Sequence, residues 1–385
     1  MFFGYTDAEL EAKTSTFTAK EIAQQPVTWQ KTIDQVTENW EEIQAFVKSV
    51  TDQPDYDVIL TGAGTSEYVG NSLYPSLLLK QNGHIHSIGT TDIVSTPRAY
   101  ISETKPTLLV SFARSGNSPE SVGAVQAAEA ISSNVKHLFI TCNKDGKLAK
   151  LAEEQDNCYA LVLTPETHDQ SFVMTSSFSS MYVAALMILS DDVKLPMGEI
   201  IGAASRFVES GYKALADDLA KIDFSRIIYL GSDVLKGIAQ ESALKMVEIT
   251  GGDVVSIYDS PLGFRHGPKS VVCPEALTVI YLSDNPSTRR YELDLLAEVY
   301  RDRKGSQIIV VSAKADEKAE ELCDLFINLD VESVFTNGQL APAFIVVAQT
   351  LALLYALKRG NTPDNPCPTG EVNRVVQGVT LYEVV

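Results

Sequence analysis

The residue types best suited to proton transfer lie in Glu241-Ser242-Ala243-Leu244-Lys245-Met246-Val247-Glu248, where Glu241, Lys245 and Glu248 recur at i, i+4 and i+7. On a helix that spacing puts all three on one face, beside the apolar Leu244 and Val247. Charges at i and i+4 usually mean a solvated pair, but this face is also the one expected to pack on a sheet. A little downstream, His266 stands between Arg265 and Gly267, two positions before Pro268. A loop histidine of defined backbone path is well placed to move protons near neutral pH, and an ordinary loop histidine is the plainer alternative.

A different chemistry is suggested by Arg114-Ser115-Gly116-Asn117-Ser118. Glycine lets a backbone approach an anion, hydroxyls and amides donate to it, and a following helix points its positive end there. Ser118-Pro119-Glu120 can equally be a helix cap with proline at the first helical position. Thr61-Gly62-Ala63-Gly64-Thr65-Ser66 also joins an expected strand to an expected helix, and Thr175-Ser176-Ser177 opens another helix. Either could line an anion cradle, with capping as the alternative for Thr175 and Ser176. The Gly62 loop is not read as a dinucleotide site, because Glu67 stands where the third glycine of that fingerprint belongs. His84-Ile85-His86 lacks a nearby third ligand, so no metal is expected. The five cysteines are scattered, without a CxxC pair, and are expected as reduced, buried thiols.

These loops must be held by something. Residues 1 to about 50 show helical spacing (Trp29, Ile33, Val36, Trp40, Ile43). Short continuous apolar runs follow at 57–60, 107–112, 137–141 and 158–163, then again at 226–230, 254–258, 277–282 and 307–311. Unbroken runs of this kind are expected of parallel strands covered on both faces. The two series superimpose: Gly62 maps to Gly231 and Val110 to Val279, 169 residues on, and Leu138 to Ile308, 170 residues on. The expected fold is therefore α/β: two tandem doubly wound parallel-sheet domains, at 51–196 and 223–385 with a C-terminal tail, behind a helical segment 1–50 and joined by a helix over 197–222. Ligands of such sheets bind beyond the carboxyl ends of the strands. Only the first copy has the glycine- and serine-bearing loop there; the second reads Ser283-Asp284-Asn285-Pro286-Ser287, which points to an anion site in the first copy alone.

At 385 residues with 45% hydrophobic content the chain can bury two real cores. Its 31 basic against 50 acidic residues, net −19, argue against nucleic acid as a partner, since that needs clustered Lys and Arg. A single small anion remains compatible with that charge. The start has no signal-peptide pattern, and the apolar stretch 343–357 is short for a membrane span, so a cytoplasmic protein without membrane association is expected.

Taken jointly, GAGTS at 62–66, ARSGNS at 113–118, ESALKMVE at 241–248 and RHGP at 265–268 resemble the motifs of the double sugar-isomerase-domain proteins. The resemblance is strongest to the group of tagatose-6-phosphate ketose/aldose isomerases and galactosamine-6-phosphate deaminases. The isomerase half of glutamine–fructose-6-phosphate aminotransferase is also similar. The resemblance runs from about residue 50 to the C-terminus. It implies a sugar-phosphate substrate bound by Gly64, Thr65, Ser66, Arg114, Ser115, Asn117, Ser118, Thr175 and Ser176. It further implies that Glu248 shuttles a proton between C1 and C2, that Lys245 stabilises developing charge, that Glu241 positions substrate and that His266 opens the ring. In the aminotransferase the matching histidine comes from the neighbouring subunit, which implies a homodimer with shared sites. No cofactor is implied. No glutaminase domain is expected at the N-terminus, and Gln377 stands where the aminotransferase has a Schiff-base lysine, which favours direct proton transfer or deamination. A sugar-phosphate-binding regulator without turnover is the alternative, and it would need only the phosphate loop.

Overall fold

The computed structural model describes residues 1–376, 378–382 and 384. Gln377 lies outside the described residues. Among the described residues ten strands form two five-stranded parallel sheets. The first contains β1 (Asp57–Thr61), β2 (Ile85–Ser87), β3 (Thr107–Ala113), β4 (Val135–Thr141) and β5 (Cys158–Val162), ordered β2-β1-β3-β4-β5. The second contains β6 (Arg226–Leu230), β7 (Val255–Asp259), β8 (Ala276–Leu282), β9 (Gln307–Ser312) and β10 (Leu325–Asn328), ordered β10-β9-β8-β6-β7. Read from the other edge, this is the same 2-1-3-4-5 doubly wound order, so each sheet is one copy of a single α/β unit.

The registers give the repeat its exact form. Asp57 pairs with Thr107 in the first sheet, and Arg226 pairs with Ala276 in the second, an offset of 169 at both strands. At the next strand Leu108 pairs with Lys136 and Leu277 with Gln307, so Leu138 corresponds to Ile309, one residue beyond the expected Ile308. The shift arises in the intervening segment. The helix Pro119–Ile131 has 13 residues and its counterpart Pro286–Asp302 has 17, while the loop before the second helix is two residues shorter.

Two strands had no signal in the apolar runs, β2 and β10. Both are short edge strands with partly exposed side chains, so neither carries the unbroken apolar sequence that burial on two faces imposes on β3 and β8. The leading segment is helical, over Asp7–Ala12, Thr16–Ala23, Gln25–Glu38 and Trp40–Thr51. Residues 197–222 hold two α-helices, Gly198–Arg206 and Tyr212–Leu219, with a π-helical turn at Phe207–Gly211 between them.

By contacts the chain divides into two compact units that interleave along the sequence, where the sequence reading drew consecutive blocks. One comprises 27–169, 174–195 and 369–385; the other comprises 1–26, 170–173 and 196–368. The C-terminal tail thus belongs with the first sheet, because Arg374 is hydrogen-bonded there to Arg114 and Asp169. In the second unit the helix Asn337–Arg359 contains the apolar stretch 343–357. It is long and apolar enough to cross a membrane, but its whole apolar window is buried. Of its interior polar side chains, Gln349 accepts at Oε1 from Gln25 Nε2 at 2.7 Å while its own Nε2 has no partner among the described residues, and Thr350 Oγ1 donates to the Val346 carbonyl at 2.8 Å. The five cysteines are free; Cys142 and Cys158 are buried, and Cys273, Cys323 and Cys367 are half-buried.

Each sheet turns from its first strand into a helix through a glycine that nothing larger can replace. A Cβ on Gly62 would overlap the backbone of Ser66, and one on Gly231 would overlap the Leu235 carbonyl. Two residues later the backbone takes nearly the same unusual path in both copies, φ 57°, ψ −127° at Gly64 and φ 55°, ψ −130° at Asp233. Glycine adopts that conformation freely, whereas a side-chain-bearing residue stores strain there. Asp233→Gly is therefore expected to keep the fold and raise the unfolding free energy by about 1 kcal/mol, measured by urea denaturation; a loss of stability would show that the hydrogen bond between Asp233 and Asn337 outweighs the strain.

Candidate functional site

In the first unit the helix Thr65–Leu77 begins after Gly64, and its Thr65 and Ser66 are buried. The neighbouring strand β3 delivers Arg114 to Ser118. Gly116 has φ +64°, and Gly146 packs so closely that a Cβ there would lie 2.5 Å from the Ser115 carbonyl oxygen. The loop is pinned further by Asn143, whose Nδ2 donates to that same carbonyl at 2.9 Å. Two of its polar residues also have capping duties. Asn117 Oδ1 accepts from the Lys147 amide at 3.0 Å, at the start of the helix Lys147–Glu154, and Ser118 Oγ accepts from the Ser121 amide at 3.3 Å. Capping and anion binding are thus not exclusive for Ser118, whose hydroxyl also borders a cavity of about 110 Å³ lined by Ser66, Arg114, Ser115, Ser121 and Arg374.

The structure gives Arg374, in the C-terminal tail, a place at this cavity. Its guanidinium donates to the Asp169 carbonyl, while Arg114 Nη2 donates to the Arg374 carbonyl at 2.8 Å. Two guanidinium groups, 260 residues apart in sequence, therefore border one small cavity. Their field is felt nearby: burial, then the charges of Arg374 and Arg114, hold the His168 imidazole below its usual pKa. No periodicity marks this tail, so sequence pattern offered no route to it.

Thr175 and Ser176, read as an anion cradle or a helix cap, have partners within the chain. Both are fully buried, and the carboxylate of Asp169 takes the end of the helix Ser176–Ser190. It accepts from the Thr175 amide at 2.7 Å, the Ser177 amide at 2.9 Å and the Ser176 hydroxyl. A built-in anion already serves that helix terminus.

In the second unit the helix Val234–Ile249 carries Glu241, Lys245 and Glu248 on one face, as their spacing requires. Lys245 is fully buried, with Nζ 3.4 Å from Glu241 Oε1 and in contact with Glu248 Oε2. Burial alone would lower the ammonium pKa, but the two carboxylates more than offset it and the pKa is raised, so Lys245 stays charged. Glu241 is also fully buried, whereas the Glu248 side chain keeps 24% of its surface exposed. Only Glu248 of the three can meet a molecule from solvent.

His266 follows the short helix Pro261–Phe264 and is exposed, its amide donating to the Gly263 carbonyl at 2.9 Å. The residues around it are anchored. Arg265 Nε lies 2.9 Å from Glu298 Oε2, and Lys269 Nζ lies 2.5 Å from Glu298 Oε1 and 2.7 Å from Asp302 Oδ2. Among the described residues no group of three or more His, Cys, Asp and Glu is arranged to hold a metal ion.

The fold and these motifs define a class. The SIS domain model matches twice, over residues 54–190 and 220–359, and the chain belongs to that family in its two-copy form. Within it, the chain is 41% identical over 378 residues to the D-galactosamine-6-phosphate deaminase of Shewanella sp. (strain ANA-3), covering 96% of this chain and 92% of that protein. It is 39% identical to the D-galactosamine-6-phosphate deaminase of Escherichia coli O157:H7, covering 98% of both. Among solved structures, the tagatose-6-phosphate ketose/aldose isomerase of Escherichia coli superimposes with a TM-score of 0.89 at 35% identity, covering 100% of this chain and 99% of that one. A protein of Clostridium novyi NT superimposes at 0.96 with 38% identity and the same coverage.

A charge-assisted hydrogen bond is worth roughly 1.5–3 kcal/mol. Arg374→Ala is accordingly expected to weaken binding of inorganic phosphate by about ten- to a hundredfold, read by titration calorimetry, with the unfolding midpoint little changed. Unaltered phosphate affinity would remove Arg374 from the anion pocket.

Proposed function

We propose that this protein converts galactosamine 6-phosphate and water to tagatose 6-phosphate and ammonia by aldose–ketose isomerisation coupled to loss of the C2 nitrogen. The observation that carries the reading is the Glu241–Lys245–Glu248 cluster, which has one carboxylate open to solvent and a buried, permanently charged ammonium beside it. Near-complete alignment with galactosamine-6-phosphate deaminases supports the substrate class.

In this reading Arg114, Arg374 and the hydroxyls of Ser66, Ser115 and Ser118 take the phosphate. His266 assists ring opening by moving a proton between the ring oxygen and the anomeric hydroxyl. Glu248 removes the proton from C2 of the open-chain amino aldose and returns it to C1. The electron pair of the C2–H bond moves into the enolamine while O1 takes a proton from solvent, and then onto C1 while the nitrogen releases a proton to solvent, which leaves an imine at C2. Water adds to that imine and ammonia departs, giving the ketose. Lys245 opposes the charge that develops as the enolamine forms and restrains the Glu248 carboxylate in one position. With a neutral aldose phosphate the same proton transfer gives the ketose directly.

General-base catalysis by a positioned carboxylate contributes about 10²–10⁴-fold. Glu248→Gln should therefore lower kcat by that order for ammonia release from galactosamine 6-phosphate, with a much smaller change in KM. Full turnover by the variant would mean that another group is the base. Saturable substrate binding with no turnover by the unmodified protein would instead identify a regulator.

The exposed His266 also supports a homodimer in which it serves the neighbouring subunit. Mixing inactive Glu248→Gln and His266→Ala proteins through dissociation and reassociation should then restore part of the activity; no recovery in reassociated mixtures would assign His266 to its own subunit.

A further inference from the structure

The second repeat lacks the phosphate loop, and the place corresponding to that loop is not left open. We propose that the carboxyl group of Glu292 is the resident oxygen acceptor of the second repeat, occupying the position that in the first repeat belongs to the ligand and closing it against sugar phosphate.

The argument rests on correspondence and on contacts. By the offset of 169, Ala63 and Arg114, which line the first-repeat cavity, correspond to Ser232 and Ser283. Both counterparts engage Glu292: the Ser283 amide donates to Oε2 at 2.7 Å, and the Ser232 hydroxyl hydrogen-bonds the same carboxyl group. Glu292 is fully buried, and its Oε1 has no hydrogen-bond partner among the described residues. Arg289, one turn earlier on the same helix, supplies the positive charge. Its Nη1 donates to the Ser283 carbonyl at 3.0 Å and its Nε to Asp316 at 2.8 Å. The Ser283 hydroxyl donates to Asn337 Oδ1 at 3.0 Å, which ties the position to the start of the helix Asn337–Arg359.

Counting each helix from its first residue, Pro119 or Pro286, Glu292 falls at the seventh position, where the first repeat has Val125. Val125 packs in a purely apolar cluster with Ala113, Phe139 and Leu148. The second repeat thus replaces an apolar core residue by a carboxylate aimed at the strand end, while its loop is shortened. A core position gains nothing from a charge, and burial indeed pushes the Glu292 carboxyl up to about 7 despite its partners. The cradle explains what the carboxylate does there: it satisfies an amide that a shortened loop would leave facing an empty strand end.

The inference draws on the proposed function only in calling the first-repeat cavity a phosphate site. Its test uses formate, the size of the missing carboxylate, on the full-length protein. Glu292→Val restores the first-repeat residue and should fold. In it the Ser283 amide is expected to exchange at least about tenfold faster than in the unmodified protein. Formate should restore protection saturably and raise the unfolding midpoint by about 3 °C. Glu292→Gln, which fills the position with an acceptor, should keep the amide protected and show no formate response. Arg114→Ala, which removes phosphate binding if the proposed function is right, should leave the formate response of Glu292→Val unchanged. Full protection of Ser283 in Glu292→Val without formate, or an equal formate response in the Val and Gln variants, would overturn the inference.

Discussion

The constraint on which both halves depend is the close approach of a helix to the strand that precedes it, allowed only because Gly62 and Gly231 have no side chain. That contact fixes where each helix starts and therefore which way its first turns point. In the first repeat the helix buries its short hydroxyl-bearing residues, Thr65 and Ser66, beside the loop after β3. In the second the helix begins Val234-Leu235 and two turns later presents Glu241, Lys245 and Glu248 on one face. One backbone device thus supports a cavity bordered by two arginines in one copy and a carboxylate–ammonium cluster in the other.

The electrostatics of the two copies diverge accordingly. A chain of net charge −19 offers a poor general field for a phosphate, so attraction has to be local and short-ranged. In the proposed reading Arg114 and Arg374 supply it at the cavity wall, each held by hydrogen bonds to backbone carbonyls that leave little side-chain entropy to lose on binding. The neighbouring helix terminus does not add to it, because Asp169 has already neutralised that end. In the second copy the equivalent strand end is closed by Glu292.

Much of this was legible in the sequence, and the illegible parts share a cause. Buried central strands announce themselves as unbroken apolar runs, and the repeat followed from their spacing to within one residue at Leu138. The i, i+4, i+7 spacing placed Glu241, Lys245 and Glu248 on a common face because helical periodicity is local. What escaped were features set by distant partners. Edge strands β2 and β10 are half exposed and need no apolar signature. The engagement of Thr175 and Ser176 by Asp169 could not be separated from ligand binding, since a capped helix end and an anion-binding one use the same residue types. The tail's place beside Arg114 depends on hydrogen bonds across some 260 residues, on which local pattern is silent.

Stability alone does not account for Lys245. Taking an ammonium and two carboxylates out of water costs several kcal/mol per ion, and replacing such a group with well-packed apolar residues is commonly neutral or favourable. An aliphatic side chain at position 245, on a helix face already flanked by the buried Ala243, Met246 and Ile249, would have been the simpler solution for the core. The arrangement found instead holds one carboxylate deep and leaves the other at the surface, with a fixed positive charge touching both. For packing, that asymmetry between Glu241 and Glu248 is of no use. For the proposed proton transfer it is suited: the deep carboxylate keeps the ammonium in place, and the ammonium holds the outer carboxylate oriented and accompanied by the charge that an enolamine would require as it forms.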